Sequence, residues 1–235
     1  MEFDLTWAIT LFLGSAVVVV FAAIALAKGG AIIASNTRLG QLWVGLLLIA
    51  GATSLPELVT TITAVRLDNP GLAASTIMGA NMLNIAKLAL IAGLLGGPYI
   101  YQRLSKGQEL LSLQALGLTA MGTIFIVIGW GAEFFGITLA AILILTAYLL
   151  GSRVLYKTSS GDSLPSQEIP EHSLRWGWTV YSVSAIAILV SATALTISAD
   201  QIANETGISA SFIGVLAVAF VTTIPELAVG ITLMR

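Results

Sequence analysis

Two apolar stretches of this chain each carry a proline and a glutamate near the middle, and no single feature restricts the fold more. The first is Gly45–Arg66, GLLLIAGATSLPELVTTITAVR. The second, Gly214–Arg235, GVLAVAFVTTIPELAVGITLMR, repeats it 169 residues later. The two share Gly45/Gly214, Ala50/Ala219, Thr53/Thr222, Pro56/Pro225, Glu57/Glu226, Leu58/Leu227, Ile62/Ile231, Thr63/Thr232 and Arg66/Arg235. A proline breaks a regular helix, and a carboxylate is costly in hydrocarbon. Finding both together, flanked by hydroxyls, twice in one chain implies a shared purpose.

The surroundings of that repeat are membrane-like. The chain is 57% hydrophobic and 9% charged, against about 25% charged in a soluble domain. Its mean hydropathy is +0.97. Such a chain cannot coat a globule with charge, so the expected class is an all-α polytopic membrane protein. Cysteine is absent, which excludes disulfides and thiolate metal sites. Met1–Thr6 carries Glu2 and Asp4 instead of basic residues, so no cleavable signal is expected and the first apolar run counts as a span.

Hydropathy predicts seven transmembrane helices, over Trp7–Ala27, Leu42–Val65, Leu72–Leu95, Leu110–Ile128, Phe134–Leu150, Trp178–Ile197 and Ser211–Met234. Gly151–Arg175, with Pro165, Pro170, serines and the lone His172, reads as a flexible loop. If the spans alternate, Lys28, Arg38, Arg103, Lys106, Arg153, Lys157, Arg175 and Arg235 fall on one side. Arg66 stands alone on the other, with Glu2, Asp4, Asp68, Glu133, Asp200 and Glu205, the acids read as solvated loop charges. The positive-inside rule then places the N-terminus outside and the loop in the cytoplasm, in a plasma (inner) membrane. Spans 2 and 7 run in opposite senses, as in an inverted-repeat transporter with proline-broken helices 2 and 7. Residues 1–150 form the expected first five-helix repeat, 151–175 the cytoplasmic loop and 176–235 an incomplete second repeat.

The chemistry follows from the two breaks. Pro56 has no N–H for the Ala52 carbonyl, and Pro225 none for that of Val221, so each span is expected to kink or unwind locally. Thr53 and Glu57 share a helix face, with Ser54 adjacent; Thr222, Thr223 and Glu226 reproduce the arrangement. Brought together, these groups offer two carboxylates, several hydroxyls and loosened carbonyls. An all-oxygen set suits a hard cation such as Ca²⁺ or Na⁺. Two carboxylates this close need a counterion, which one Ca²⁺, two Na⁺ or two H⁺ would supply.

GATSLPEL, Gly51–Leu58, resembles the first-repeat hallmark of the cation/calcium exchanger superfamily, nearest to its sodium/calcium exchangers. Gly79-Ala80-Asn81-Met82-Leu83-Asn84 resembles the companion Gly-Ser-Asn-x-x-Asn helix, and VTTIPEL, Val221–Leu227, the second-repeat hallmark. The resemblance implies an antiporter that exchanges Ca²⁺ for Na⁺ by alternating access, with no cofactor. Carried over by motif, it implies a metal-ligand set of Ala50 and Ala219 through their carbonyls, with Thr53, Ser54, Glu57, Asn84, Thr222, Thr223 and Glu226. The chain departs from the pattern in three ways. It stops at Arg235, just past the second hallmark, so the second repeat is expected to be truncated. Ala80 stands where a serine is expected. Lys87 lies in the apolar part of span 3, on the face that carries Ala80 and Asn84.

Lys87 is therefore a candidate modulator, its ammonium competing for a cation position; the plainer alternative is snorkelling to the inner surface. Asn84 and the hydroxyls also have a structural alternative, as hydrogen-bonding glue between helices. Other functional readings are Ca²⁺/H⁺ or another cation/H⁺ exchange, a cation channel, and a non-transporting fragment. An enzyme is not expected: no histidine lies in any span and no Ser/Lys or Asp/Asp dyad is evident. The expected partners are the ions and the lipid bilayer, not nucleic acid.

Overall fold

The computed structural model describes residues 4–37, 51–95, 106–129, 131, 133–134, 137–158 and 173–233. Nearly all of them are helical, as an apolar chain requires when its backbone must satisfy its own hydrogen bonds. The helices are α1 (Leu5–Asn36), α2 (Leu55–Arg66), α3 (Pro70–Leu95), α4 (Lys106–Ile128), α5 (Leu139–Thr158), α6 (Leu174–Thr206), α7 (Ala210–Ile213) and α8 (Ala219–Leu233). A π-helical segment, Gly214–Val218, joins α7 to α8. Two short strands, β1 (Glu133–Phe134) and β2 (Ile137–Thr138), pair antiparallel, Glu133 opposite Thr138 and Phe134 opposite Ile137.

Among the described residues, three helical stretches are long and apolar enough to cross a membrane: Leu5–Ile33, Leu174–Thr206 and Ala210–Leu227. Ser112–Ile128 and Leu139–Val154 are shorter apolar helices. The all-α membrane class therefore stands, without a confirmed count of seven; residues 42–50 of the expected second span lie outside the described residues.

The chain divides into two compact units, residues 1–91 with 164–235, and residues 92–163. In the first, α1 makes its main contact with α6, α2 also packs on α6, and α8 on α1. The core joins Val19, Ala23 and Leu26 of α1 to Ile188, Ala192 and Leu195 of α6, with Leu72 and Val218. Threonines are buried alongside them, including Thr60, Thr76 and Thr196. Large apolar side chains such as Phe21, Val183 and Val190 stand exposed. Apolar groups outside, with hydroxyls admitted among the apolar groups inside, is the distribution a bilayer favours.

Helices α1 and α6 touch through glycines. A Cβ on Gly29 would lie 2.8 Å from the Tyr181 backbone nitrogen, and one on Gly177 2.8 Å from Ile32 Cγ2. This packing explains why α1 continues through Lys28, Gly29 and Gly30 to Asn36 although its expected span ends at Ala27: tertiary contact outweighs the low helix propensity of glycine. At the other end of the unit, Asn69 caps α3 by accepting from Leu72 N at 3.0 Å and donates to Asp200 Oδ1 at 2.7 Å. Asp200 is thus a half-buried helix residue with a partner, not the solvated loop charge expected.

In the second unit α4 packs on α5. Gln114 Nε2 donates to the Tyr148 carbonyl at 3.0 Å, and a Cβ on Gly151 would collide with the Gln114 side chain. Here two expectations are corrected. Phe134, Ile137 and Thr138 do not begin a helix but pair as strands: β-branched Ile137 and Thr138 favour extended pairing, and Thr138 Oγ1 accepts from Ala141 N at 3.4 Å, starting α5 at Leu139. Gly151–Thr158, expected as loop, continues α5. At the far end of that stretch Ser173 caps α6 by accepting from Trp176 N at 3.4 Å.

Candidate ion site

Every described member of the expected ligand set belongs to the first unit. Residues 51–53 are helical, the chain turns at Ser54 (φ −89°, ψ −2°), and α2 starts afresh at Leu55 with Pro56 in its first turn. The missing prolyl N–H falls where a helix start has none to satisfy. The expected break at Pro56 is present, and it sets Glu57 in the first turn of α2, where the helix dipole favours an anion.

The second hallmark solves the same problem differently. Pro225 lies inside a continuous α8. The irregularity comes earlier, in the π turn, where Ala219 N donates to the Gly214 carbonyl. An interior proline is tolerated in a membrane helix when wide turns and hydroxyls re-satisfy the backbone. Thr222 Oγ1 donates to the Ala219 carbonyl and Thr223 Oγ1 to that of Phe220, each at 3.3 Å. The local unwinding expected at Pro225 itself is therefore replaced by a wide turn upstream. That turn seats Gly214 against Leu72 and Ser75 of α3, and Gly79 of α3 against Val215 and Ala219.

This close approach brings Asn84 and Lys87 of α3 to α8. Lys87 Nζ donates to Asn84 Oδ1 at 3.1 Å and to the Thr223 backbone carbonyl. Thr222, Thr223 and Ala219 are fully buried, and Thr53 is buried. The Thr222 hydroxyl lies beside Glu57, and the Asn84 side-chain amide beside Glu226. Glu57, Glu226 and Lys87 are within electrostatic reach of one another. Both oxygens of Glu57, and Oε2 of Glu226, are buried without a hydrogen-bond partner. Leaving an ionised carboxylate unpaired in an apolar interior costs several kcal/mol, so such oxygens call for a proton or a cation.

The arrangement gathers Thr53, Glu57, Asn84, Thr222, Thr223, Glu226 and Lys87 from α3, α8 and the chain around the Ser54 break. Ser54 occupies the break with its side chain exposed, unlike its buried counterpart Thr223. Ala50 lies outside the described residues. Among the described residues no group of three or more His, Cys, Asp or Glu is placed to hold a metal; two carboxylates and neutral oxygens are the donors present. The Thr223 carbonyl as a partner of Lys87 was not legible in the sequence, because backbone orientation leaves no mark in residue type.

The sodium/calcium exchanger protein family matches residues 7–156 and 176–235. The chain is 27% identical over 210 residues to "Putative antiporter CaxA" of Alkalimonas amylolytica, covering 86% of this chain and 64% of that protein. It is 23% identical over 199 residues to "Uncharacterized membrane protein MJ0091" of Methanocaldococcus jannaschii, covering 85% of this chain and 63% of that protein. The chain thus spans a little under two thirds of the length of these relatives. No solved structure matches it. With its hallmarks on the helices that carry the candidate site and the match running over most of its length, the chain belongs to the sodium/calcium exchanger protein family, a family of membrane transporters and not of enzymes.

Proposed function

We propose that the protein is a secondary cation antiporter that exchanges Ca²⁺ for Na⁺ at the site built by Glu57 and Glu226. The observation that carries this reading is the set of buried carboxylate oxygens without partners, facing threonine hydroxyls and an asparagine. A cation replaces its water shell with these oxygens. Because an empty pair of acids is costly, one ion leaves readily only when another takes its place, which is the condition for exchange. Division into an inverted repeat at 1–150 and 176–235 agrees with the two hallmarks, and the sorting of basic residues favours an outside N-terminus in the inner membrane.

The test is ⁴⁵Ca²⁺ uptake by proteoliposomes carrying the whole chain, with an outward Na⁺ gradient imposed. Uptake should follow the gradient and fall at least about 100-fold in Glu57→Gln. Calcium flux that persists with no counter-ion would identify a channel. Proton coupling is the second reading, favoured by Ala80 in place of a hydroxyl and by Lys87 on two of the site's oxygens. An outward H⁺ gradient that drives uptake without Na⁺ would select it.

A further inference from the structure

Lys87 sits among the donors and not away from them. Its ammonium bonds Asn84 Oδ1 on its own helix and the Thr223 carbonyl on α8. These are neutral oxygens of the kind that would otherwise complete the shell of a bound ion. A lysine that only snorkelled would aim its head at the water interface; this one turns inward to bridge two helices. Its charge lies within reach of Glu226 and, more weakly, of Glu57, while neither residue's unpartnered oxygens are bonded to it.

We propose that the Lys87 ammonium is a tethered cation, filling one monovalent position of the site for good. This deepens the antiporter reading and rests on it. A compact ammonium presents a point charge with three donors, a fixed substitute for a sodium ion. With it in place, the two carboxylates keep one uncompensated negative charge. The remaining position therefore needs a single monovalent cation for neutrality, and a divalent ion enters against the repulsion of Lys87. The site handles one mobile Na⁺ fewer than its oxygens alone would hold, and binds Ca²⁺ more weakly.

The experiment is equilibrium binding of ²²Na⁺ and ⁴⁵Ca²⁺ to the whole chain in nanodiscs, comparing wild type with Lys87→Gln, Lys87→Met, Lys87→Arg and Glu57→Gln. Lys87→Gln and Lys87→Met should each bind one more Na⁺ per chain, and Ca²⁺ at least about tenfold tighter, since a unit charge is gone from a site of low effective dielectric. Lys87→Arg keeps the charge and should keep the wild-type count. Methylammonium added to Lys87→Met should restore the wild-type Na⁺ count, which a merely structural lysine would not permit. An unchanged count and Ca²⁺ affinity in folded Lys87→Gln or Lys87→Met overturns the tethered cation and leaves the antiporter reading intact. Undiminished binding in Glu57→Gln overturns the site itself.

Discussion

Glu57 and Glu226 together hold three buried carboxylate oxygens that no hydrogen bond relieves. At this scale, stability and function oppose one another. Glu57→Gln preserves shape and removes the charge, so in cation-free detergent the variant should melt above wild type, by the equivalent of about 1–3 kcal/mol. Added Ca²⁺ should raise the melting temperature of wild type through mass action and leave that of Glu57→Gln unmoved. A thermal shift assay reads both outcomes. Thr222 is fully buried beside Glu57; Thr222→Val keeps its volume and should weaken cation binding about tenfold, measured as ⁴⁵Ca²⁺ affinity. The acids and hydroxyls were legible in the sequence because residue type and spacing define them. The exposure of Ser54 was not, since it depends on which side of the helix break faces the bundle.

Among the elements, the contact between α3 and the π turn decides whether the donors meet. A Cβ on Gly79 would lie 2.8 Å from Val215 Cα, so the helices can touch only while that position has no side chain. Gly79→Leu should force them apart, lowering stability by about 1–3 kcal/mol and cation affinity with it. At the start of α3, Asn69 is both cap and cross-link. Asn69→Ser should retain the cap and lose the bond to Asp200, whereas Asn69→Ala loses both and should cost about 1–2 kcal/mol more than Ser, as read from unfolding in mixed micelles. The sequence marks both prolines as breakers. It does not reveal that one starts a helix and the other rides inside one behind a wide turn, because that depends on the neighbour each helix packs against.

Among the described residues of the whole molecule, threonines and glycines join Leu26, Leu72, Ile188 and Leu195 at the helix contacts, while other large apolar side chains stand exposed. With apolar surface outside as well as inside, close packing is the force between helices. The glycine contacts of α1 with α6 set that spacing, so Gly29→Leu should separate the pair and lower the melting temperature well beyond the same change at Gly14, whose Cβ would meet nothing within 4 Å. Orientation is testable because the chain has no cysteine of its own. A cysteine at Asp4 should react with an impermeant maleimide from outside intact cells, and one at Ser163 only after lysis.

Hydropathy alone determined the membrane class, since a chain with so little charge has no other stable surrounding. The repeated hallmark alone named the acids, hydroxyls and breakers, because those are properties of residue type and spacing. Tertiary structure decided how they meet. Packing without a Cβ drew α3 onto the π turn, and the backbone carbonyl of Thr223 received Lys87. Each of these depends on a surface supplied by a distant part of the chain, and no local pattern encodes it.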